Sequence, residues 1–488
     1  MDNDLKKLLS KIKEQRPGAD LELVELAYDF AKKAHEGQKR FSGEPYFSHP
    51  YNAALILAEM KMSPEMIVAA LLHDVVEETE ITVKDLEKDF GADVAFLVEG
   101  VTKVGRVKYR GVERYLENLR KMFIAMAVDL RVIIIRFADR LDNLRTLFVH
   151  PREKQVRIAQ ESLEIYAPIA NRLGMGEIKG LIEDAAFKYA LPEEYKWVVN
   201  LAAKKQAAHA QYLEKLKKQL EKELTKNGIK YIFVEGRVKH FYSLYLKLLR
   251  YERDLTKIHD LVALRVVVND TADCYRVLGL IHQLWAPIQG RIKDYIAQPK
   301  INGYQSLHTT VFTEEKKVVE FQIRTQAMHD LAEFGVAAHW HYDEKGKASY
   351  RPSKEMSWVQ ELSKWKKEID ANRKNLERLK VDVLKNRIFV FTPKGDVIDL
   401  PEEATPVDFA YAIHTQIGDK CSRAYVNDII VNLDHTLKNG DIIEVLIDKN
   451  RKGPNPAWLK FVKSSVARTH IKSATKAERE GFLSKILK

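Results

Sequence analysis

Up to about residue 227 the apolar residues recur at helical spacing, and beyond Gly228 strand-like runs begin to alternate with helices. Leu23, Ala27, Phe30 and Ala34 share one helical face. By contrast KYIFVEGRVK, VALRVVV and KVVEFQIRT read as strands, the second as a buried one. This change of period excludes a single uniform fold. It predicts an all-α domain followed by an α/β or α+β domain, and 488 residues are ample for more than one core.

No apolar run approaches membrane-span length, and MDNDLKKLLSKIKEQ lacks a signal-peptide core, so a cytoplasmic protein is expected, with no membrane partner. Cys274 and Cys421 form neither a disulfide framework nor a zinc motif and are expected to be buried. Residues 450–488 carry ten Lys and Arg against two Glu, most of the net charge of +11. Such a basic tail meets RNA or another polyanion, or is a solvated helix.

Within the helical part, Ser48-His49-Pro50 and Ser63-Pro64 look like helix starts, with Ser at or near the cap and Pro in the first turn. The second helix would carry Leu71 and Leu72 and then His73, Asp74, Glu77 and Glu78, so that His73 shares a face with Glu77 and Asp74 with Glu78. A later helix, VIIIRFADRLDNLRTLF, sets Asp139, Asn143 and Thr146 on one face. His49, His73, Asp74 and Asp139 together make a mononuclear site for a transition metal such as manganese; singly, each could serve as a cap or salt-bridge partner.

Residues 291–325 crowd Arg291, Lys293, Lys300, Tyr304, His308, Arg324 and the strand-borne Glu320 into a short stretch. Cations ahead of a glycine-containing loop, with an acid on a rigid strand behind it, suit a polyphosphate held with a metal; the alternative is a lysine-rich surface loop and an edge strand. Further on, residues 345–386 read as a charged helical linker. Residues 387–448 have short strands and Thr-Pro-Lys-Gly and Lys-Asn-Gly-Asp turns, as in a small β-grasp domain.

The words KRFSGEPYFSHP, LLHDVVEETEIT, VEGVTKV and ADRLDNLRTL resemble the HD-type hydrolase domain of the RelA/SpoT alarmone synthetase/hydrolase family. GRVKHFYSLYLK, DLVALRVVV, RIKDYIAQPKINGYQSLHTTV, EFQIRT and EFGVAAHW resemble its synthetase domain, and NRIFVFTPKGDVIDLPEEATPVDFAYAIHTQIG is similar to a TGS domain. The order of these words is also the family's. The resemblance implies an all-α hydrolase domain at 1–150, a helical bridge at 151–200, an α/β nucleotidyltransferase-like synthetase domain at 201–345, the linker at 346–386, a TGS domain at 387–448, and the basic start of a helical regulatory region at 449–488. On this reading the far C-terminal regulatory domains are not part of the chain.

By resemblance, His49, His73, Asp74 and Asp139 hold Mn2+, and Glu77 and Glu78 position or activate the water that removes the 3′-pyrophosphate from (p)ppGpp. Arg40, Ser42, Asn143 and Thr146 hold that nucleotide. In the synthetase domain Asp260 and Glu320 hold Mg2+, and Glu320 also accepts the proton of the 3′-hydroxyl of GDP or GTP. Arg237, Lys239 and Lys247 meet ATP, Lys293 and Lys300 take up further phosphate charge, and Tyr304 stacks on guanine, with Asn302, Gln305 and His308 as additional contacts. His414 is the residue placed at the end of uncharged tRNA on the ribosome.

The chain departs from the family pattern at Glu78 (usually Asp), Asp142 (usually His) and Asp419 (commonly His). Asp142 is expected either to tighten metal binding or to repel the substrate. Arg291-Ile292-Lys293-Asp294 is the basic form that resembles members with both activities. The resulting expectation is a two-activity enzyme whose 150–200 bridge couples the sites. The alternatives are a synthetase with an impaired hydrolase site, and a ribosome- or tRNA-binding regulator with incidental catalysis.

Overall fold

A computed structural model describes residues 2–105, 121–122, 124–125, 128–238, 240–253, 262–300, 303–314, 317–338, 387–393, 397–438, 440–448, 450–451, 453–464 and 466–475. The chain divides into two compact units, Met1–Lys367 and Glu368–Lys488. Among the described residues no helix is long and apolar enough to cross a membrane.

The first unit opens with helices Asn3–Gln15, Glu22–Ala34, Ser48–Glu59, Pro64–Leu72, Val75–Glu78, Val83–Phe90, Ala92–Gly105 and Leu130–Arg145. Two of them form its centre. Met66 to Leu72 are all buried, as are Val132 to Ile135, whereas Arg136, Asp139, Arg140 and Asn143 of the second helix line a cavity. Both expected helix starts fall where the sequence puts them, at Ser48 and after Ser63, but neither serine makes a side-chain cap. The helix through His73 is not continuous. It ends at Leu72, His73 bonds back to the Ala70 carbonyl through Nδ1 at 2.8 Å, and a separate turn, Val75–Glu78, follows. Glu77 and Glu78 are exposed on that turn, and the Glu78 N–H bonds to the Asp74 carbonyl at 2.9 Å, so Asp74 and Glu78 still share a face.

Helix Arg152–Glu161, a π turn Ser162–Tyr166, and helices Ala167–Arg172 and Gly176–Ala190 come next, and then one 35-residue helix, Pro192–Lys226. That helix stops where Gly228 takes φ +62°, a conformation glycine adopts without strain.

Six strands then form one mixed sheet: β1 Tyr231–Val238, β2 Val262–Val268, β3 Ala286–Pro287, β4 Lys293–Asp294, β5 Leu307–Phe312 and β6 Val318–Thr325. The order is β1-β2-β6-β5-β3, with β4 also on β5, and β2–β6 is a parallel pair. One sheet face is apolar. Val234, Leu264, Val266, Phe321, Ile323, Leu307 and Val311 pack there against Leu216, Leu220, Val277 and Ile281 from helices Pro192–Lys226 and Thr271–Leu284. The other face carries polar residues at alternate positions. Helix Gln326–Phe334 follows β6, and Gly335 ends it.

In the second unit β7 Arg387–Phe391 pairs with β8 Val397–Pro401, and β9 Cys421–Val426 lies between β10 Ile429–Val431 and β11 Ile443–Ile447. Helices Pro406–Ile413 and Thr415–Asp419 complete it. The segment 456–471 packs on this core: Trp458, Val462, Ala467 and Ile471 are buried with Val407, Ala410, Tyr411 and Cys421. The Asp408 carboxylate fixes that attachment by accepting from the backbone N–H groups of Lys463 and Ser464. Both cysteines are buried and unbonded. The linker 346–386 and the tail 476–488 lie outside the described residues.

Candidate active sites

The first site lies among the N-terminal helices. His49 comes from the first turn of Ser48–Glu59, His73 and Asp74 from the break after Leu72, and Asp139 from the middle of Leu130–Arg145. Each donor sits where an apolar helix face anchors its backbone. Donor atoms of His49, His73 and Asp74 lie within 4.8 Å of one another. The His49 Nε2 atom is 3.3 Å from Asp139 Oδ1 and 3.6 Å from Asp74 Oδ2. His73 Nε2 is 3.2 Å from Asp74 Oδ1, yet it is buried and makes no hydrogen bond.

A buried ring nitrogen with no hydrogen bond, aimed at convergent carboxylates, is what a divalent transition metal would satisfy, so these residues fit one. Asp139 is also engaged by Arg136 and by Asn143 Nδ2. Burial would raise the Asp139 carboxyl, but Arg136, His49 and His73 outweigh it and hold it well below the ordinary range. Burial opposes charge on His49 as well. Asp139, Asp142 and Asp74 outweigh it, pushing the imidazole up to about 10.

These groups open into a cavity of about 760 Å³. Arg40, Ser42, Glu77, Glu78, Asn143 and Thr146 line it, as the sequence reading requires. Others were not singled out from sequence: Lys39, Phe41, Tyr46, Arg140, His150, Lys154 and Arg157. Lys154 and Arg157 come from helix Arg152–Glu161, which the sequence reading assigned to the bridge. Their spacing on a charged helix gave no signal that distinguishes them from solvated lysine and arginine. Tyr46 donates its hydroxyl to Asp74 Oδ2 at 3.0 Å. Asp142, expected to act as added charge near the metal, is instead buried and satisfied. It accepts from His49 Nδ1 at 2.7 Å, Arg40 at 2.9 Å and Asn52 at 3.0 Å.

The second site is the polar face of the six-stranded sheet. Register puts Arg237, Ala263, Glu320 and Thr310 in one row across β1, β2, β6 and β5. The next row is Glu235, Arg265, Gln322, His308 and Lys293. Glu320 Oε1 accepts from Gln322 at 2.8 Å and lies 3.1 Å from His308 Nδ1. The other ring nitrogen of His308 meets the Tyr304 hydroxyl at 2.8 Å. Burial lowers the His308 pKa against the pull of Glu320, with Lys300 and Lys293 acting in the same direction as burial.

Tyr295, missed from sequence, sits edge-on to both Tyr304 and His308, and the Lys300 ammonium stands 4.6 Å from its ring and 5.0 Å from that of Tyr304. Gln305 is turned to the Ile296 carbonyl at 3.3 Å, and Lys247 lies on helix Phe241–Arg250, which follows β1 in the chain and packs on helices Gly176–Ala190 and Pro192–Lys226. Lys239, Asp260 and Asn302, and the side chain of Arg237, lie outside the described residues. In the second unit His414 is exposed between two helices and accepts from the Gln416 N–H. Asp419 accepts the Tyr411 hydroxyl at 2.8 Å.

Residues 27–176 match the model of the HD domain, 236–347 that of the region found in RelA/SpoT proteins, and 388–447 that of the TGS domain. Over 486 residues the chain is 46% identical to a guanosine-3′,5′-bis(diphosphate) 3′-pyrophosphohydrolase of Aquifex aeolicus (strain VF5), covering 99% of this chain and 68% of that protein. The chain belongs to the RelA/SpoT family. It is also 46% identical over 476 residues to a GTP pyrophosphokinase of Streptomyces coelicolor (strain ATCC BAA-471 / A3(2) / M145), covering 94% of this chain and 56% of that protein. A bifunctional (p)ppGpp synthase/hydrolase RelA of Mycobacterium tuberculosis (strain ATCC 25618 / H37Rv) is 45% identical over 483 residues, covering 97% of this chain and 65% of that protein. The chain thus spans about two thirds or less of these RelA/SpoT relatives, and the match includes both candidate sites.

Proposed function

We propose that this chain is a two-activity alarmone enzyme. It makes (p)ppGpp from ATP and GDP or GTP on the sheet face and removes the 3′-pyrophosphate in the helical cavity. The observation that carries the reading is that one unit holds two separate constellations of opposite design. One is a His-His-Asp donor set at the base of a cation-lined cavity; the other is a strand-borne Glu320 flanked by Tyr304, His308 and Lys293.

In synthesis, the 3′-hydroxyl oxygen attacks the β-phosphorus of ATP, the bond from that phosphorus to the α–β bridging oxygen breaks, and AMP leaves. Glu320 accepts the hydroxyl proton, and His308 and Gln322 hold its carboxylate in place. Tyr304, braced by Tyr295 and Lys300, offers a face to guanine. Mg2+ with Asp260 and Glu320 would screen the phosphates, and Arg237, Lys239, Lys247, Lys293 and Lys300 would bind them.

In hydrolysis, water adds to the phosphorus bound to the 3′-oxygen, that P–O bond breaks, and pyrophosphate and GDP or GTP are released. Mn2+ on His49, His73, Asp74 and Asp139 would supply an acidified water and neutralise phosphate charge. Glu77 and Glu78 at the rim orient the water and take its proton. Arg40, Ser42, Asn143 and Thr146 hold the nucleotide, with Lys39, Lys154 and Arg157 adding positive wall. His414 and the basic segment packed on the TGS core would meet uncharged tRNA on the ribosome, and the cytoplasm supplies all the nucleotides.

Two incubations test the reading: ATP, GDP and Mg2+ in one, ppGpp and Mn2+ in the other, with nucleotides resolved by anion exchange. Turnover in both is expected. Synthesis without hydrolysis would leave a synthetase only, and turnover in neither would refute the enzymatic reading.

A further inference from the structure

Asp142 is a buried carboxylate that bonds to two cavity residues, His49 and Arg40, although it neither lines the cavity nor belongs to the donor cluster. Taking a carboxylate out of water costs several kcal/mol unless hydrogen-bond donors replace the lost water. Here three donors do so. Asn52 Nδ2 reaches Oδ1 at 3.0 Å, while His49 Nδ1 and Arg40 both reach Oδ2, at 2.7 Å and 2.9 Å. The same Arg40 also donates to Thr146 at 2.9 Å, and both residues face the cavity.

The geometry has two consequences. Because Nδ1 of His49 lies against Asp142, a proton there is held by that carboxylate, and Nε2, which faces Asp74 and Asp139, is the nitrogen that would give up its proton to a metal. Because Arg40 is anchored by the same oxygen, the cation at the nucleotide end is tied to the histidine at the metal end.

We propose that Asp142 is a positioning residue: through one carboxylate oxygen it fixes the tautomer and orientation of His49 for the metal and the placement of Arg40 for the nucleotide phosphates. The proposal rests on the hydrolase reading of this cavity. It makes metal affinity and nucleotide KM depend on a side chain that touches neither ligand.

The test uses the full chain and Mn2+ alone, with free Mn2+ followed by electron paramagnetic resonance. Asp142→Ala is expected to weaken Mn2+ binding by about 10–100-fold, and Asp142→Asn, which keeps an acceptor oxygen, by less. At saturating Mn2+ the alanine variant should recover much of kcat while the KM for ppGpp stays raised through the loosened Arg40. In a His49→Ala background, removing Asp142 should not weaken the residual Mn2+ binding further. If folded Asp142→Ala or Asp142→Asn binds Mn2+ as the wild type does, or if the loss persists without His49, the positioning role is overturned. If the wild type itself neither binds Mn2+ nor hydrolyses ppGpp, it is the hydrolase reading that falls.

Discussion

Replacing Gly180 by alanine should damage synthesis while sparing hydrolysis. Gly180 lies within helix Gly176–Ala190, and a Cβ built there would meet His240 Cδ2 and Nε2 at 2.2 Å and Cε1 at 2.6 Å. The ring must swing away. His240 follows β1, which carries Arg237, and stands at the N-terminus of the helix that carries Lys247. Its Nδ1 is held by Asp184 at 2.9 Å, and a second Asp184 oxygen takes the Tyr242 N–H at 2.9 Å. Losing the charge-assisted bond costs about 1.5–3 kcal/mol, offset by ~1 kcal/mol from alanine's better helix propensity. Stability should therefore fall by only ~1 kcal/mol. The placement of the β1 end is another matter, since a shift of about 1 Å can cost ~100-fold in rate. The assay is initial-rate AMP and ppGpp formation against ppGpp hydrolysis, in wild type, Gly180→Ala, His240→Ala and the double variant. In the His240→Ala background the Gly180 change should become silent for synthesis and slightly stabilising. Wild-type synthesis by Gly180→Ala, or an equal loss with and without His240, would refute the reasoning.

Other outcomes follow from the same contacts. Burial opposes the His240 charge, but Asp184 and Glu177 outweigh it and raise the group from 6.5 to about 9, so its stabilisation is complete below pH 6.5 and fades as pH rises through 9. The melting advantage of the wild type over Asp184→Asn, on the order of 2 kcal/mol near pH 6, should shrink towards zero by pH 10. Glu320→Gln should abolish synthesis and leave Mn2+-dependent hydrolysis intact, as read by both incubations on one preparation. Tyr304→Ala should raise the KM for GDP by about 10-fold or more, from a stacking loss of ~1–3 kcal/mol, with Tyr304→Phe retaining most of it. Asp408→Ala removes the acceptor for the backbone N–H groups of Thr405, Lys463 and Ser464 and should destabilise the second unit by about 2–4 kcal/mol, seen as early proteolysis after residue 448.

The local periodicities were enough to expect the N-terminal helices and the strands β1, β2 and β6, and to put His49, His73, Asp74, Asp139 and Glu320 on those elements or at their ends. Each of those signals is short-range: a cap, a 3.6-residue stripe, an alternation of two. Two kinds of information were not available at that range. An interruption at the end of an apolar run, such as the one at His73, where the ring bonds back to the Ala70 carbonyl, leaves no periodic signal. Partnerships across long separations were equally hidden. Asp142 reads as a charge beside a metal in sequence, and it becomes a satisfied acceptor because the fold brings His49 and Arg40 to it from about a hundred residues away. Likewise Lys154 and Arg157 become cavity wall, Tyr295 becomes a brace for Tyr304, and residues 456–471 become core, because packing rather than composition decides which face of a charged or mixed segment is buried.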